Sequence, residues 1–133
     1  MPNLINTSVS PGKEVYSVKK RLVGPSQLTA STTDYYTVPQ YTTALVKQII
    51  LTNTTASAKT VTVRLKPLGV AEANTHDVIS SMNVAANETI VFDCDIVLVN
   101  NGSAASATNS DQITAFCSSA TSVNITVVGI EET

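Results

Sequence analysis

Residues 60–65 read Thr-Val-Thr-Val-Arg-Leu, and this short stretch constrains the fold more than any other. Val61, Val63 and Leu65 fall on one side of an extended backbone; Thr60, Thr62 and Arg64 fall on the other. A period of two is what a half-buried strand requires, because successive side chains point to opposite faces. Just upstream, Thr43–Thr52 reads T-A-L-V-K-Q-I-I-L-T, a mostly apolar strand with Lys47 and Gln48 inside it. Asn53–Ala56 is a cluster of turn formers, so residues 53–59 predict a hairpin connection. Pro67 and Gly69 end the pair.

Strand patterns recur along the chain. Val15–Val23 predicts a first strand, stopped by Gly24 and Pro25. Gln27–Ser31 and Tyr35–Val38 predict two short strands around a Ser-Thr-Thr-Asp turn. Pro39 ends the second, since it has no N–H to donate to a ladder. Residues 70–76 read as a loop or a single helical turn, and Val78–Met82 as a short strand. In Glu88–Asp95, Ile90, Phe92 and Cys94 share one face, with Val91, Asp93 and Asp95 opposite. Ile96–Val99 continues that strand or starts another. Gln112–Ser118 and Ser122–Ile130 predict a closing hairpin, with Val123, Ile125 and Val127 on one face.

Residues 1–14 carry Pro2, Asn3, Asn6, Ser10, Pro11 and Gly12 and predict an irregular N-terminal arm, ordered by a neighbour. The remainder, 15–133, predicts one domain, of a size that buries a core without metals or disulfides. Eight or so short strands without a helix pattern predict an all-β fold, an antiparallel β-sandwich of jelly-roll type. A sandwich keeps edge strands, and these carry Ser and Thr with few charges, which protects poorly against further pairing. The expected partner is therefore a second copy or another subunit.

Charge then limits function. Only 14% of residues are charged and the net charge is −2. Lys19-Lys20-Arg21 is the one basic run, too small for a polyanion groove, so nucleic acid is not an expected partner. The run reads as a solvated strand end or a partner contact. No segment approaches the roughly 20 apolar residues that span a bilayer, so no membrane partner is expected. The opening residues lack the cationic start and apolar core of a signal peptide. Cys94 and Cys117 then read as free, buried thiols, and no Cys/His metal pattern accompanies them.

No catalytic set or cofactor motif emerges. His76 is the sole histidine, and its neighbour Asp77 would point the other way on a strand. His76 reads as a surface loop residue. Asp93 and Asp95, with Glu88 or Asp111, could offer oxygens to Ca²⁺, but no dense Asp-rich loop is present and a solvated polar face is the simpler reading. The five glycines form no phosphate loop. Five Asn-x-Ser/Thr triplets, at Asn6, Asn53, Asn87, Asn101 and Asn124, follow from the composition. Two features remain as candidate partner contacts. Tyr35, Tyr36 and Tyr41 cluster around Pro39, where they either anchor a partner or cap the end of the core. Asn100–Ser110 is a long loop of small residues, read as a mobile surface excursion, with Asn100, Asn101 and Ser110 as its candidate contacts.

The order D-Y-Y-T-V-P, then T-A-L-V-K-Q-I-I-L-T-N-T-T-A-S-A-K-T-V-T-V-R-L, resembles a family of small tailed-bacteriophage virion structural proteins. So do V-A-A-N-E-T-I-V-F-D, D-Q-I-T-A-F and S-V-N-I-T-V-V-G-I-E-E further on. The likeness spans residues 22–132. It implies a β-sandwich without enzymatic activity or cofactor, which decorates or cements a capsid or attaches at the neck or tail. It also implies several copies on a particle, commonly a symmetric trimer or another ring, bound to major capsid or tail proteins. Assembly would take place in the bacterial host cytoplasm and the mature location would be the virion. The longer 100–110 loop departs from the family pattern, which has a short Gly-containing turn there. A tail-tip or fibre module recognising host glycans through the tyrosines or that loop is the alternative.

Overall fold

Four antiparallel strand pairs nest inside one another in the computed structural model, which describes residues 15–133. The predicted arm over 1–14 lies outside the described residues. The strands are β1 (Ser17–Gln27), β2 (Thr33–Thr37), β3 (Thr43–Asn53), β4 (Lys59–Lys66), β5 (Asp77–Val84), β6 (Thr89–Val99), β7 (Gln112–Cys117) and β8 (Val123–Glu132). β1 pairs with β8, β2 with β7, β3 with β6 and β4 with β5, all antiparallel. Laid flat, this is one long ribbon whose closed end is β4–β5. Rolling it up brings β3 against β8 and β4 against β7. The result is two four-stranded sheets, β1-β8-β3-β6 (sheet I) and β2-β7-β4-β5 (sheet II). That is the jelly roll, as the strand patterns predict.

Val46, Ile49, Leu51, Ile125 and Val127 of sheet I meet Val61, Val63, Val84, Ile113 and Ala115 of sheet II in the core. Lys47 and Gln48 sit in the middle of β3 without entering it. The register shifts between Val46 and Gln48, so Lys47 is an extra residue against β8. The inward set changes from Ala44 and Val46 to Ile49 and Leu51 across this bulge. Both polar side chains turn outward, Gln48 to Asp93 at 2.9 Å and Lys47 to Asp95. A bulge is the one device that puts a polar pair inside an apolar strand at no cost to the core.

Five expectations need correction. Neither predicted hairpin forms: β3 and β4 lie in different sheets, as do β7 and β8, so each connection crosses between the sheets and the consecutive strands face each other over the core instead of pairing edge to edge. Gly24 and Pro25 do not stop β1, which continues to Gln27 across two register shifts. Gly24 adopts φ +74, and a Cβ there would lie 2.7 Å from the Ile125 carbonyl oxygen, so glycine allows the strand to bulge and resume. Gln27–Ser31 is not a separate strand. It is the corner between sheets: the Leu28 amide donates to Val123 of sheet I, and the Thr29 carbonyl accepts from Cys117 of sheet II. Cys94 is half-buried rather than buried, while Cys117 is buried and both are free. Ile96–Val99 continues β6, and residues 74–76 form a single 3₁₀ turn.

The two outer faces differ. The connection between β4 and β5 folds back over sheet II, where buried Lys66 donates to the Val70 carbonyl and buried Thr114 donates to Glu72. Arg64 fastens it: its Nε donates to Asp77 at 2.6 Å, its Nη1 approaches Glu72 at 3.4 Å, and its guanidinium lies 5.2 Å from the centre of the Phe116 ring. Nothing among the described residues covers the outer face of sheet I in this way.

Candidate functional site

The tyrosine cluster divides. Tyr36 faces the core from β2 and its hydroxyl donates to Glu131 of β8 at 2.5 Å, joining the two sheets at one end of the sandwich. Lys20 also reaches Glu131, at 3.0 Å. Burial holds the Tyr36 phenol neutral far above its ordinary range, reinforced by the hydrogen bond to Glu131 and by the Glu131 charge. Tyr35 packs against the core edge and donates to the Gln27 carbonyl at 3.0 Å. Tyr41 alone is presented to solvent, 74% exposed. It sits at φ +60 in the turn closed by Thr42 N–H to Pro39 C=O, a conformation that costs an aromatic residue strain.

A pH prediction follows from Tyr36. A tyrosine in the unfolded chain ionises near pH 10. The folded value is higher, so the stabilisation is complete below about pH 10 and is lost as pH rises above it. Denaturant unfolding of the wild type is expected to weaken above that pH more steeply than that of Tyr36→Phe. Parallel curves for the two proteins would remove the neutral phenol from this role.

The 100–110 loop is tied internally. Asn100 Nδ2 donates to Ser110 Oγ and to Ser103 C=O, each at 2.9 Å, and Asn100 Oδ1 accepts the Gly102 amide at 2.6 Å. Ser110 is fully buried and donates to Val38 C=O at 2.8 Å, so it cannot itself touch a partner, contrary to expectation. Asn101 is exposed and bonds across the loop to Asn109. Gln40 donates to Gly102 C=O, which brings the Tyr41 turn and the Asn101 loop to the same end of the sandwich.

The carboxylates weighed for Ca²⁺ serve separate tasks. Asp111, which sequence reasoning saw only as an oxygen donor, accepts the Leu68 and Val99 amides at 2.9 Å each and so anchors two loops. Glu88 caps the Ala85 amide at 2.7 Å. Asp93 and Asp95 lie on the outer face of sheet I. Among the described residues no three His, Cys, Asp or Glu groups are placed to hold a metal ion. His76 is half-buried in the 3₁₀ turn, with Nδ1 buried and unpaired among the described residues.

The outer face of sheet I is the surface where exposed apolar and charged groups combine. Lys19 and Arg21 stand opposite Ile130 and Val128, so all four share that face. With Lys47 they rim a groove of about 440 Å³. Ile130 is followed across the sheet by Leu45 and then by Val97, which is 58% exposed. Val91 and Val99 on β6 are exposed as well. Cys94 borders a second groove with Asp93 and Asp95. Burial first, then these two carboxylates, push its thiol pKa up against the smaller pull of Lys47.

The sequence matches no family model and no curated protein. Its fold is similar to solved structures. One is a chain of Bacillus endospore appendages, a family of disulfide-linked pili: 16% identity, 96% of each chain covered, TM-score 0.52. Another is a chain of the infectious bursal disease virus particle: 9% identity, 99% of this chain covered, TM-score 0.51. This chain spans 35% of the viral one. At such identities the likeness is one of fold, the jelly-roll sandwich.

Proposed function

We propose that this chain is a non-enzymatic structural subunit of a virion, an accessory protein that decorates or cements a bacteriophage capsid or attaches at its neck or tail. The supporting observation is the asymmetry of the sandwich. One sheet is partly covered by its own β4–β5 connection, while the other keeps an apolar, charged outer face and two 11-residue edge strands. Open edges of this kind suit association with copies of the same chain and with major capsid or tail proteins. The fold likeness to a viral particle chain and a pilus chain fits a building-block role.

The covalent linkage named for the Bacillus pili is not part of this reading. Cys117 is 1% exposed, and Cys94 is half-buried with its thiol pKa pushed up by burial and by Asp95 and Asp93. The test is immuno-electron microscopy of lysates from producing cells, with antibody raised against the full chain. Labelled particles are expected; label confined to soluble protein would end the proposal. Tyr41 supports a second reading, a host-glycan contact, because a strained and exposed aromatic side chain is costly to keep without a partner. Saccharide binding by the purified chain, abolished in Tyr41→Ala, distinguishes that case.

A further inference from the structure

From the two edge strands of sheet I we infer a head-to-tail interface between copies of this chain, in which β1 of one copy pairs with β6 of the next. The inference rests on the structural-subunit reading and names its partner. β1 and β6 are the edge strands of sheet I, and each is 11 residues long. Neighbouring strands alternate in direction throughout that sheet. A second copy moved sideways without being turned over therefore lays its β1 antiparallel to β6. Its outer face stays on the same side.

Charge decides between this arrangement and the symmetric ones. The outward side chains of β1 include Lys19 and Arg21, which make no ion pair among the described residues. Those of β6 include Asp93 and Asp95, also two residues apart. In antiparallel register Lys19 meets Asp95 and Arg21 meets Asp93, with Ser17 opposite Val97. Asp95 already accepts from Lys47 yet remains 71% exposed, so it has oxygen lone pairs for a second cation. Pairing β6 with β6, or β1 with β1, would set like charges against each other. Among the described residues the edge strands of sheet II carry no Lys or Arg, so of the four described edge strands β1 is the cationic one.

Apolar contact supports the same register. The Ile130–Leu45–Val97 row ends at the open edge of β6, and the aliphatic stem of the incoming Lys19 can cover Val97. The regular part of β1, Ser17–Arg21, lies before the bulges at Val23 and Ser26, so its outer-edge backbone groups are in strand geometry. A heterologous contact of this type closes into a ring if the rotation permits and otherwise extends as a filament.

Sedimentation of the full chain at low and high ionic strength tests the pairing. Oligomers are expected at low ionic strength and should loosen in high salt. Lys19→Glu with Arg21→Glu, and separately Asp93→Lys with Asp95→Lys, should each raise the dissociation constant about tenfold or more. An equimolar mixture of the two should reassemble, because each then meets opposite charge on both edges. That recovery cannot arise from misfolded parts. As an independent variant, Ser17→Cys with Val97→Cys should give a ladder of disulfide-linked multimers on oxidation, and neither single change should. A monomeric wild type, undiminished assembly of both charge variants, or absence of the ladder would overturn the interface. Undiminished assembly would do so while leaving the structural-subunit reading intact; absence of label on particles would remove that reading instead.

Discussion

Gly129→Ala is expected to destabilise the protein by about 3 kcal/mol, lowering its thermal midpoint by on the order of 10 °C. The sign is the informative part. Gly129 lies outside the left-handed region, so its backbone would accept any residue. In open space alanine there would stabilise, by restricting the unfolded chain. The position is not open. Gly129 lies on β8 opposite Val46, directly beside the β3 bulge. A Cβ would stand 2.1 Å from the Leu45 carbonyl oxygen and 3.0 Å from Leu22 Cδ1. Leu22 could shift, but the carbonyl belongs to the backbone of a central strand and is held on both sides. Relief requires β3 and β8 to part in the middle of sheet I. Denaturant unfolding of wild type and variant measures the effect, and an alanine variant of equal or greater stability would show that the bulge yields.

The bulge also marks how far the sequence could be read. Strand β4 was fully legible, because Thr60–Leu65 alternates cleanly and needs no partner to be recognised. Lys47 and Gln48 were visible as an interruption, but which face they took depended on a register shift against β6 and β8, strands far away in the chain. Gly24-Pro25 read as a stop for the same reason. The pairing of Ser26 with Ile125, which carries β1 onward, is a long-range fact. The polar side of β4 looked like a wet face, yet Thr62 is buried and its hydroxyl accepts the Ser81 amide where β5 shifts register against β4, an arrangement with no periodic signature. Of the candidate contacts, Tyr41 and Asn101 are at the surface, whereas Ser110 is consumed by the loop it closes. Local spacing identifies a loop of small polar residues; it cannot tell which of them bond inward.

Asn53 carries the other large expectation. It looked like a turn former and a chance glycosylation triplet, and it is fully buried. Its amide nitrogen donates to Ser57 C=O at 2.8 Å and to Val84 C=O at 3.0 Å. Its amide oxygen accepts from the Thr55 amide at 2.9 Å and the Thr55 hydroxyl at 2.7 Å. One side chain thus satisfies the β3–β4 turn and ties the end of β5 to β3. Alanine leaves two carbonyls and an amide without these partners, and a loss of about 3 kcal/mol is expected. Asn53→Asp is the sharper variant. A carboxylate still accepts from Thr55, but its other oxygen faces the Ser57 and Val84 carbonyls, oxygen against oxygen. Those contacts favour the protonated form, so the folded pKa of the new carboxyl should rise above its unfolded value near 3.9. Stability contributed by the protonated form is then complete below that unfolded value and is lost as pH rises through the folded one. The gap between wild type and Asn53→Asp should widen from acidic to neutral pH, while the gap for Asn53→Ala should stay constant. Denaturant midpoints across that range separate the two, and an alanine variant within about 0.5 kcal/mol of wild type would mean that water replaces the amide at this corner.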